Sequence, residues 1–333
     1  MTGQPAGAQP AGAQPAGAHS AAQAGPAAPA RAPRHSSGRV LAARFKLAAR
    51  RDPLGFIAAV AALLLVLLAL LAPLLPIAAP AAIVGGSQLA PSAHHLFGTD
   101  QLGRDVLSRT IFGARHTLVT AVLATALAAA IGTPLGILAG YLTRWPSGVV
   151  MRVMDVLLAF PGLLLALVVV TILGPGVTTV VLAVGISYTP IFARVVYGPT
   201  KSIRTQDYIA AAKAVGCSPL RIVRRHVLPV LGSELIVVIS SAIGWTTLLA
   251  ATLDFLGFGI RPPSPDWGAD LSAGVQYLGQ AWWISAAPGI AITVTILVAN
   301  YLGDFLASMT DPDRLRHSRT KLKDTTQLIA GEG

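Results

Sequence analysis

Charge is scarce in this chain, cysteine is nearly absent, and the signatures of nucleotide and hydrolase chemistry are missing. Only 12% of the 333 residues are charged and 53% are hydrophobic. A soluble domain carries about 25% charged residues, so water is not the principal solvent here. Cys217 is the single cysteine, which excludes an internal disulfide and a cysteine metal cluster and fits a reducing compartment. The Gly-x4-Gly-Lys-Ser/Thr phosphate loop does not occur, so the chain does not bind ATP in that manner. His-Glu-x-x-His and Gly-x-Ser-x-Gly are absent too, and no catalytic residue is expected.

What the chain has instead is long apolar runs. Leu54–Leu75 holds no charge over 22 residues, and about 20 suffice to cross the hydrocarbon core as a helix. It is too long and starts too late for a signal-peptide core. Five further candidates follow at Thr117–Tyr141, Val153–Leu173, Val177–Val196, Leu231–Leu253 and Ile284–Leu306. The expected fold class is an all-α integral membrane protein with six transmembrane helices.

The net charge of +11 invites a nucleic-acid reading until the cations are placed. An even number of spans puts both termini on one side. The segment before the first span, the turns holding Arg144, Arg152 and Arg194, the loop after the fourth span and the C-terminal tail together carry 21 Lys and Arg. Only Arg104, Arg109, Arg115 and Arg261 fall on the other face. The positive-inside rule puts the 21-residue face, with both termini, in the cytoplasm. Topology accounts for the charge, and no nucleic acid is needed.

Four regions follow. Residues 1–38, with repeated "PAGAQ", lack apolar periodicity and are expected to be a disordered tail. Residues 39–114 hold a basic flank, the first span and an extracytoplasmic segment. The flank reads equally as a helix lying on the membrane surface. Residues 115–310 hold five spans and residues 311–333 a basic cytoplasmic tail.

The longest cytoplasmic loop, about 206–229, reads "QDYIAAAKAVGCSPLRIVRRHVLP". Its first half is Ala-rich and helix-prone. Gly216 suits the left-handed end of a helix, Ser218 an N-cap and Pro219 a first helical position. Leu220, Val223 and Val227 are expected on one face, with Arg221, Arg224 and Arg225 elsewhere. Two short helices meeting at a fixed bend would either dock in a cleft of a cytosolic partner or rest on anionic headgroups. The spacing leaves both open.

"AAAKAVGCSPLRIVRRHVLP" resembles the EAA loop of binding-protein-dependent ABC importer permeases. Ala211, Ala212, Gly216, Leu228 and Pro229 match that motif, while Ala210 stands where the family has Glu. Four more segments, "LFGTDQLGRDVLSRTIFGARHTL", "MRVMDVLLAFPGLLLAL", "LDFLGFGIRPPSPDWGADL" and "NYLGDFLASMTDP", are similar in order to the C-type permease of dipeptide, oligopeptide and nickel importers. The resemblance implies a type I importer permease fold in the bacterial cytoplasmic membrane. It implies a second permease, two ABC ATPase subunits and an extracytoplasmic substrate-binding protein as partners beside membrane lipid. ATP and Mg would sit on the partner subunits and no cofactor on this chain. Coupling to the ATPase would fall to Ala210, Ala211, Ala212, Gly216, Leu220, Val223, Leu228 and Pro229. Short peptides are the expected cargo, with nickel or another small solute as the alternative.

Other residues invite structural readings. Gly132, Gly136 and Gly140, extended by Ala124 and Ala128, form a small-residue stripe suited to close helix packing, with a partner in this subunit or another. Arg152 and Asp155 are expected to pair, and Pro161 to kink its span. Asn300 and Asp304 receive a structural reading. Asp105 and Arg109 stand four apart as a modest helical pair. Asp254, Asp266 and Asp270 could face a substrate-delivering protein. His94 and His95 lack companions at ligand spacing, so no metal is expected. An ion-coupled secondary transporter would show inverted repeats and broken or charged mid-membrane helices. A membrane-embedded enzyme would need polar groups facing each other within the bilayer. Neither pattern is evident.

Overall fold

The computed structural model describes residues 52–142 and 145–310. The tail 1–38, the basic flank through Arg51 and the segment 311–333 lie outside the described residues. The regular elements among those described are helices, and isolated antiparallel bridges join Ile83 to Arg104 and Thr99 to Asp105 in the long connection before the second of them.

Helix α1 (Pro53–Leu71) starts where the Asp52 carboxylate accepts the Gly55 N–H at 2.9 Å, with Pro53 at its first position. Such a cap satisfies one of the orphan donors of a helix start. Leu63, Leu64 and Leu70 are more than half exposed, as expected of a helix solvated by lipid tails. Helix α2 (Val106–Tyr141) has 36 residues and by helical rise spans about 54 Å, well beyond a hydrocarbon core of about 30 Å. It starts before the expected Thr117 because Asp105 caps it, accepting the Ser108 N–H at 2.8 Å.

Helices α3 (Trp145–Ala159) and α4 (Gly162–Leu173) are the halves of one expected span, bent by 92° across Phe160 and Pro161. Proline lacks the N–H that would carry the ladder onward, and where a kink was expected the helix breaks outright. Helices α5 (Val177–Arg204), α8 (Leu228–Phe255) and α10 (Trp283–Thr310) have 28 residues each. Helices α6 (Asp207–Ala214) and α7 (Pro219–Ile222) lie between α5 and α8. Helix α9 (Trp267–Val275) lies between α8 and α10. Among the described residues five helices are long and apolar enough to cross a membrane, or six if the bent pair is one span.

The closest packing joins α2 to α5. A Cβ at Gly132 would meet the Thr189 carbonyl and, at 2.7 Å, Phe192 Cβ. One at Gly136 would meet the Ala193 carbonyl, and one at Gly140 would stand 2.7 Å from Thr200 Cβ. Gly185 returns the contact from α5, where a Cβ would stand 3.1 Å from the Ala124 carbonyl. The partner left open by the sequence is therefore in this same chain. Helix α8 joins through the Thr246 hydroxyl, 2.8 Å from that of Thr125 and 3.2 Å from the Ala121 carbonyl.

Charged side chains close the bundle at the N-terminal end of α2. Asp100 accepts the Arg104 guanidinium at 2.6 Å and the Leu102 and Arg104 N–H groups at 2.8 and 2.9 Å. Arg109 does not pair with Asp105 as the spacing suggested. Its guanidinium reaches Asp270 of α9 and donates at 3.1 Å to the carbonyls of Pro80 and Pro263. Asp105, occupied by its own helix, also meets His95 Nδ1 at 3.3 Å. The carboxylates expected to face a delivery protein turn inward instead. Asp254 and Asp266 are 6% and 2% exposed. Asp266 accepts the Gly268 N–H at 2.9 Å and the Thr117 hydroxyl at 2.9 Å. Trp267 Nε1 donates to the Thr110 carbonyl at 2.7 Å, and Trp283 Nε1 to that of Thr99 at 3.1 Å. Burial pushes the Asp270 carboxyl above the usual range, with Arg109 opposing it.

Glycine substitutions on two helices separate the seam from open space. Gly136→Ala places a methyl against the Ala193 carbonyl and should cost at least about 1–3 kcal/mol, the usual range for overpacking. Gly148→Ala on α3, with nothing within 4 Å, should instead gain about 0.5–1 kcal/mol; thermal unfolding in detergent compares them. Arg109→Ala leaves Asp270 unpaired and should cost about 3–5 kcal/mol near neutral pH. A carboxyl whose folded pKa is raised destabilises the fold as pH climbs past its unfolded value. Without Arg109 that penalty grows, so the variant should recover part of its loss when unfolding is measured near pH 5.

Candidate coupling site

Residues 206–230 lie at the far end of α2 from the ion layer. Helix α6 ends in two bonds, Gly216 N–H to the Lys213 carbonyl and Cys217 N–H to the Ala212 carbonyl, each 3.0 Å. These are the paired 5→2 and 6→1 bonds of a Schellman motif, with Gly216 in its left-handed position at φ +81°. Ser218 then caps α7, its hydroxyl accepting the Arg221 N–H at 3.4 Å, and Pro219 takes the first turn. The chain passes through a π-helical turn, Val223–Val227, directly into α8. The Leu228 N–H reaches back to the Val223 carbonyl, and Pro229, which has no N–H, cannot bond to the carbonyl four residues back.

One side of this hairpin is glued to the bundle. Ile209, Ala212, Ile222 and Val227 are buried against Ile137, Val196, Ile203 and Leu231. Burying a side chain such as isoleucine contributes about 1.5–3 kcal/mol, so three large anchors hold the bend more firmly than any single cap. Arg204 Nη1 donates to the Leu142 carbonyl at 2.7 Å, closing the C-terminus of α2. Lys213 Nζ stands 5.5 Å from the Tyr141 ring centroid, a cation–π contact to the same helix end.

The other side is bare. Val215 is 80% and Leu220 69% exposed. Arg221, Arg224 and Arg225 are exposed beside them, and Ser218, Leu220 and the three arginines line a shallow concavity of about 440 Å³. No ion pair engages these arginines among the described residues. The site is thus an apolar tip with a basic flank, held at a fixed angle by its own buried side.

The expected site residues divide between the two sides. Ala210, Ala211, Gly216, Leu220, Leu228 and Pro229 are exposed, Ala212 is buried and Val223 is half-buried. Leu220 and Val227 do not share a face, a correction to the periodic reading. Ile222 and Val227 point inward and Leu220 outward, because the segment from Val223 is wound as a π-turn rather than an α-helix. The glycine stripe forms the α2–α5 seam and is not part of this site. Asp155 does not pair with Arg152. It is taken by Arg194 of α5, which the fold brings alongside α3, while Arg152 is exposed. Asn300 donates to the Ile296 carbonyl at 3.0 Å, and Asp304 is exposed. No group of three His, Cys, Asp or Glu side chains is set to hold a metal among the described residues. Sequence reasoning passed over Ile209 and Ile222, whose signal was an apolar residue on each side of the Gly216 break.

Residues 132–316 match the family model described as binding-protein-dependent transport system inner membrane component. The glutathione transport system permease protein GsiD of Pectobacterium atrosepticum is 42% identical over 222 residues, covering 67% of this chain and 74% of that protein. GsiD of Escherichia coli O157:H7 is 42% identical over the same share of this chain and 73% of its own. An inward-facing structure of the MetNI methionine ABC transporter superposes with a TM-score of 0.51 at 20% identity, covering 62% of this chain and 96% of that one. A second crystal form gives 0.50 at 21% identity, a likeness of fold. The chain belongs to the binding-protein-dependent transport system inner membrane component family.

Proposed function

We propose that this chain is one of two permease subunits of an ABC importer that carries short peptides across the cytoplasmic membrane. The observation that carries this reading is the Asp207–Val230 hairpin, a lever anchored in α5 and α8 with an exposed apolar tip and arginines that no carboxylate meets among the described residues. Two cytosolic ATPase subunits, holding ATP and Mg, would receive Val215 and Leu220 in a cleft and pass the work of closure to the hairpin. Because both ends of the hairpin run directly into long helices, displacement there becomes rigid-body motion of α5 and α8. Taking the bent α3–α4 pair as one span gives six, and the Lys and Arg distribution then supports a cytoplasmic location for both termini. A substrate-binding protein would deliver cargo at the opposite face. The names of the relatives favour a glutathione-sized peptide, glutathione being a tripeptide.

Co-purification with an ATPase subunit and ATP-dependent uptake of labelled glutathione and dipeptides into proteoliposomes test the reading. Uptake that survives ATP depletion on an ion gradient alone would identify a secondary transporter instead.

The bend gives a sharper prediction. Nothing lies within 4 Å of where a Cβ would sit on Gly216, so bulk is tolerated there but the backbone conformation of an ordinary residue is not. A left-handed β-branched residue costs at least about 1–2 kcal/mol. Gly216→Val should cut peptide uptake by about tenfold while membrane insertion is unchanged and ATP hydrolysis continues uncoupled. Gly216→Asn, which adopts the left-handed region more readily, should retain most of the uptake.

A further inference from the structure

Asp254 lies in the last turn of α8 and Asp266 caps the start of α9. Both side chains are buried, and the carboxyl of Asp254 is hydrogen-bonded to that of Asp266. Backbone encloses the contact. A Cβ at Gly259 would collide with Asp254 Oδ1, and one at Gly268 would stand 2.8 Å from Asp254 Cβ. The Gly268 N–H is itself bonded to Asp266 Oδ1 at 2.9 Å, so the two acids meet at one glycine.

No cation serves this pair among the described residues. Arg109 is taken by Asp270 of α9 and stands 3.9 Å from Asp100, Arg104 is held by Asp100, and His95 meets Asp105. Arg115 and His116 of α2 and Arg261 of the connection between α8 and α9 are exposed. Helix α4 carries no titratable residue, α5 none before Tyr188 and α10 none before Tyr301. No group of three His, Cys, Asp or Glu side chains is set to hold a metal there either.

The neighbours of Asp266 decide how two acids can bond. Its Oδ1 accepts the Gly268 and Ala269 N–H groups at 2.9 and 3.2 Å, and its Oδ2 accepts the Thr117 hydroxyl at 2.9 Å. An ionised carboxylate only accepts, and two ionised carboxylates in contact at a dry site repel. A hydrogen bond between them therefore requires one proton. Asp266 already accepts from three donors, so Asp254 is the group placed to carry it.

We propose that the pair holds one proton, on Asp254, which clips the outer end of α8 to the start of α9, and that its loss to alkaline water on that side loosens the clip. Two carboxylates would then face each other where glycine backbone leaves no room for a cationic side chain. Helix α8 is driven by the hairpin from its other end, so the clip governs how firmly the outer end follows. That consequence rests on the importer reading; the proton does not.

Infrared difference spectroscopy of the assembled complex, wild type against Asp254→Asn, reads the proton directly at about pH 7, where an ordinary aspartate is ionised. The wild type should show the C=O stretch of a protonated carboxyl, shifted in deuterium oxide and lost in the variant. Asparagine keeps the shape and donates an N–H to Asp266; should that variant fail to assemble, Asp254→Ser, which donates an O–H, replaces it. Thermal unfolding in detergent gives a second reading. A folded state that keeps a proton the unfolded chain releases loses stability as pH climbs above the ordinary carboxyl value. Relative to wild type, the folding equilibrium of Asp254→Asn should therefore gain up to about tenfold per pH unit above about pH 4. In liposomes, wild-type uptake should fall as the outer medium is made alkaline while that of the variant holds. A wild type without the band, or a band that persists unchanged in the variant, overturns the proposal. Unfolding that responds to sodium instead of pH would put a metal ion between the carboxylates and overturn it too, and an equal alkaline loss of uptake in both proteins overturns the clip. The band in a complex that shows no ATP-driven uptake would keep the proton and reject the importer reading.

Discussion

Backbone meets backbone along the α2–α5 seam, and the rest of the molecule is hung from that contact. Lipid tails supply no hydrophobic force between helices, so close van der Waals approach must hold them. Ala124, Gly132, Gly136 and Gly140 on one side and Gly185 on the other permit it. The seam leads to both working ends. Toward its start α2 carries Arg109, which ties three segments into the ion layer. At its other end α2 is capped by Arg204 of α5, and α5 turns into the hairpin. A stiff pair of helices thus joins the face with the inward-turned carboxylates to the face with the bare apolar tip.

The hairpin turns this stiffness into directed motion. Its two layers have different jobs: Ile209, Ile222 and Val227 are spent on the bundle, while Val215 and Leu220 are left for something else. Large exposed side chains beside exposed arginines, held by a Schellman turn and three buried anchors, are unlike a loop that merely connects. The π-turn places the inward residues under α8 without extra length, because Ile222 and Val227 both reach the same buried cluster.

Much of this was legible in the sequence, and the reason differs by element. Apolar run length marks spans because bilayer thickness fixes it, so every expected span has a helical counterpart. Gly216, Ser218 and Pro219 were legible because their conformational preferences are local. Partners were not. Arg109 has Asp105 four residues before it, yet its carboxylate is Asp270, 161 residues away; Asp155 passes over Arg152 for Arg194. Spacing along one helix sets what can touch, but tertiary contact decides what does. The three aspartates read as a docking surface for the same reason. Burial is set by neighbours that the sequence does not place side by side.

Pro161 shows the same limit from the other direction. A proline in an apolar run predicts a kink, and the structure carries it to a right-angled break. Nothing local to "AFPG" distinguishes the two outcomes, since an isolated helix in lipid would resist losing several backbone hydrogen bonds at once.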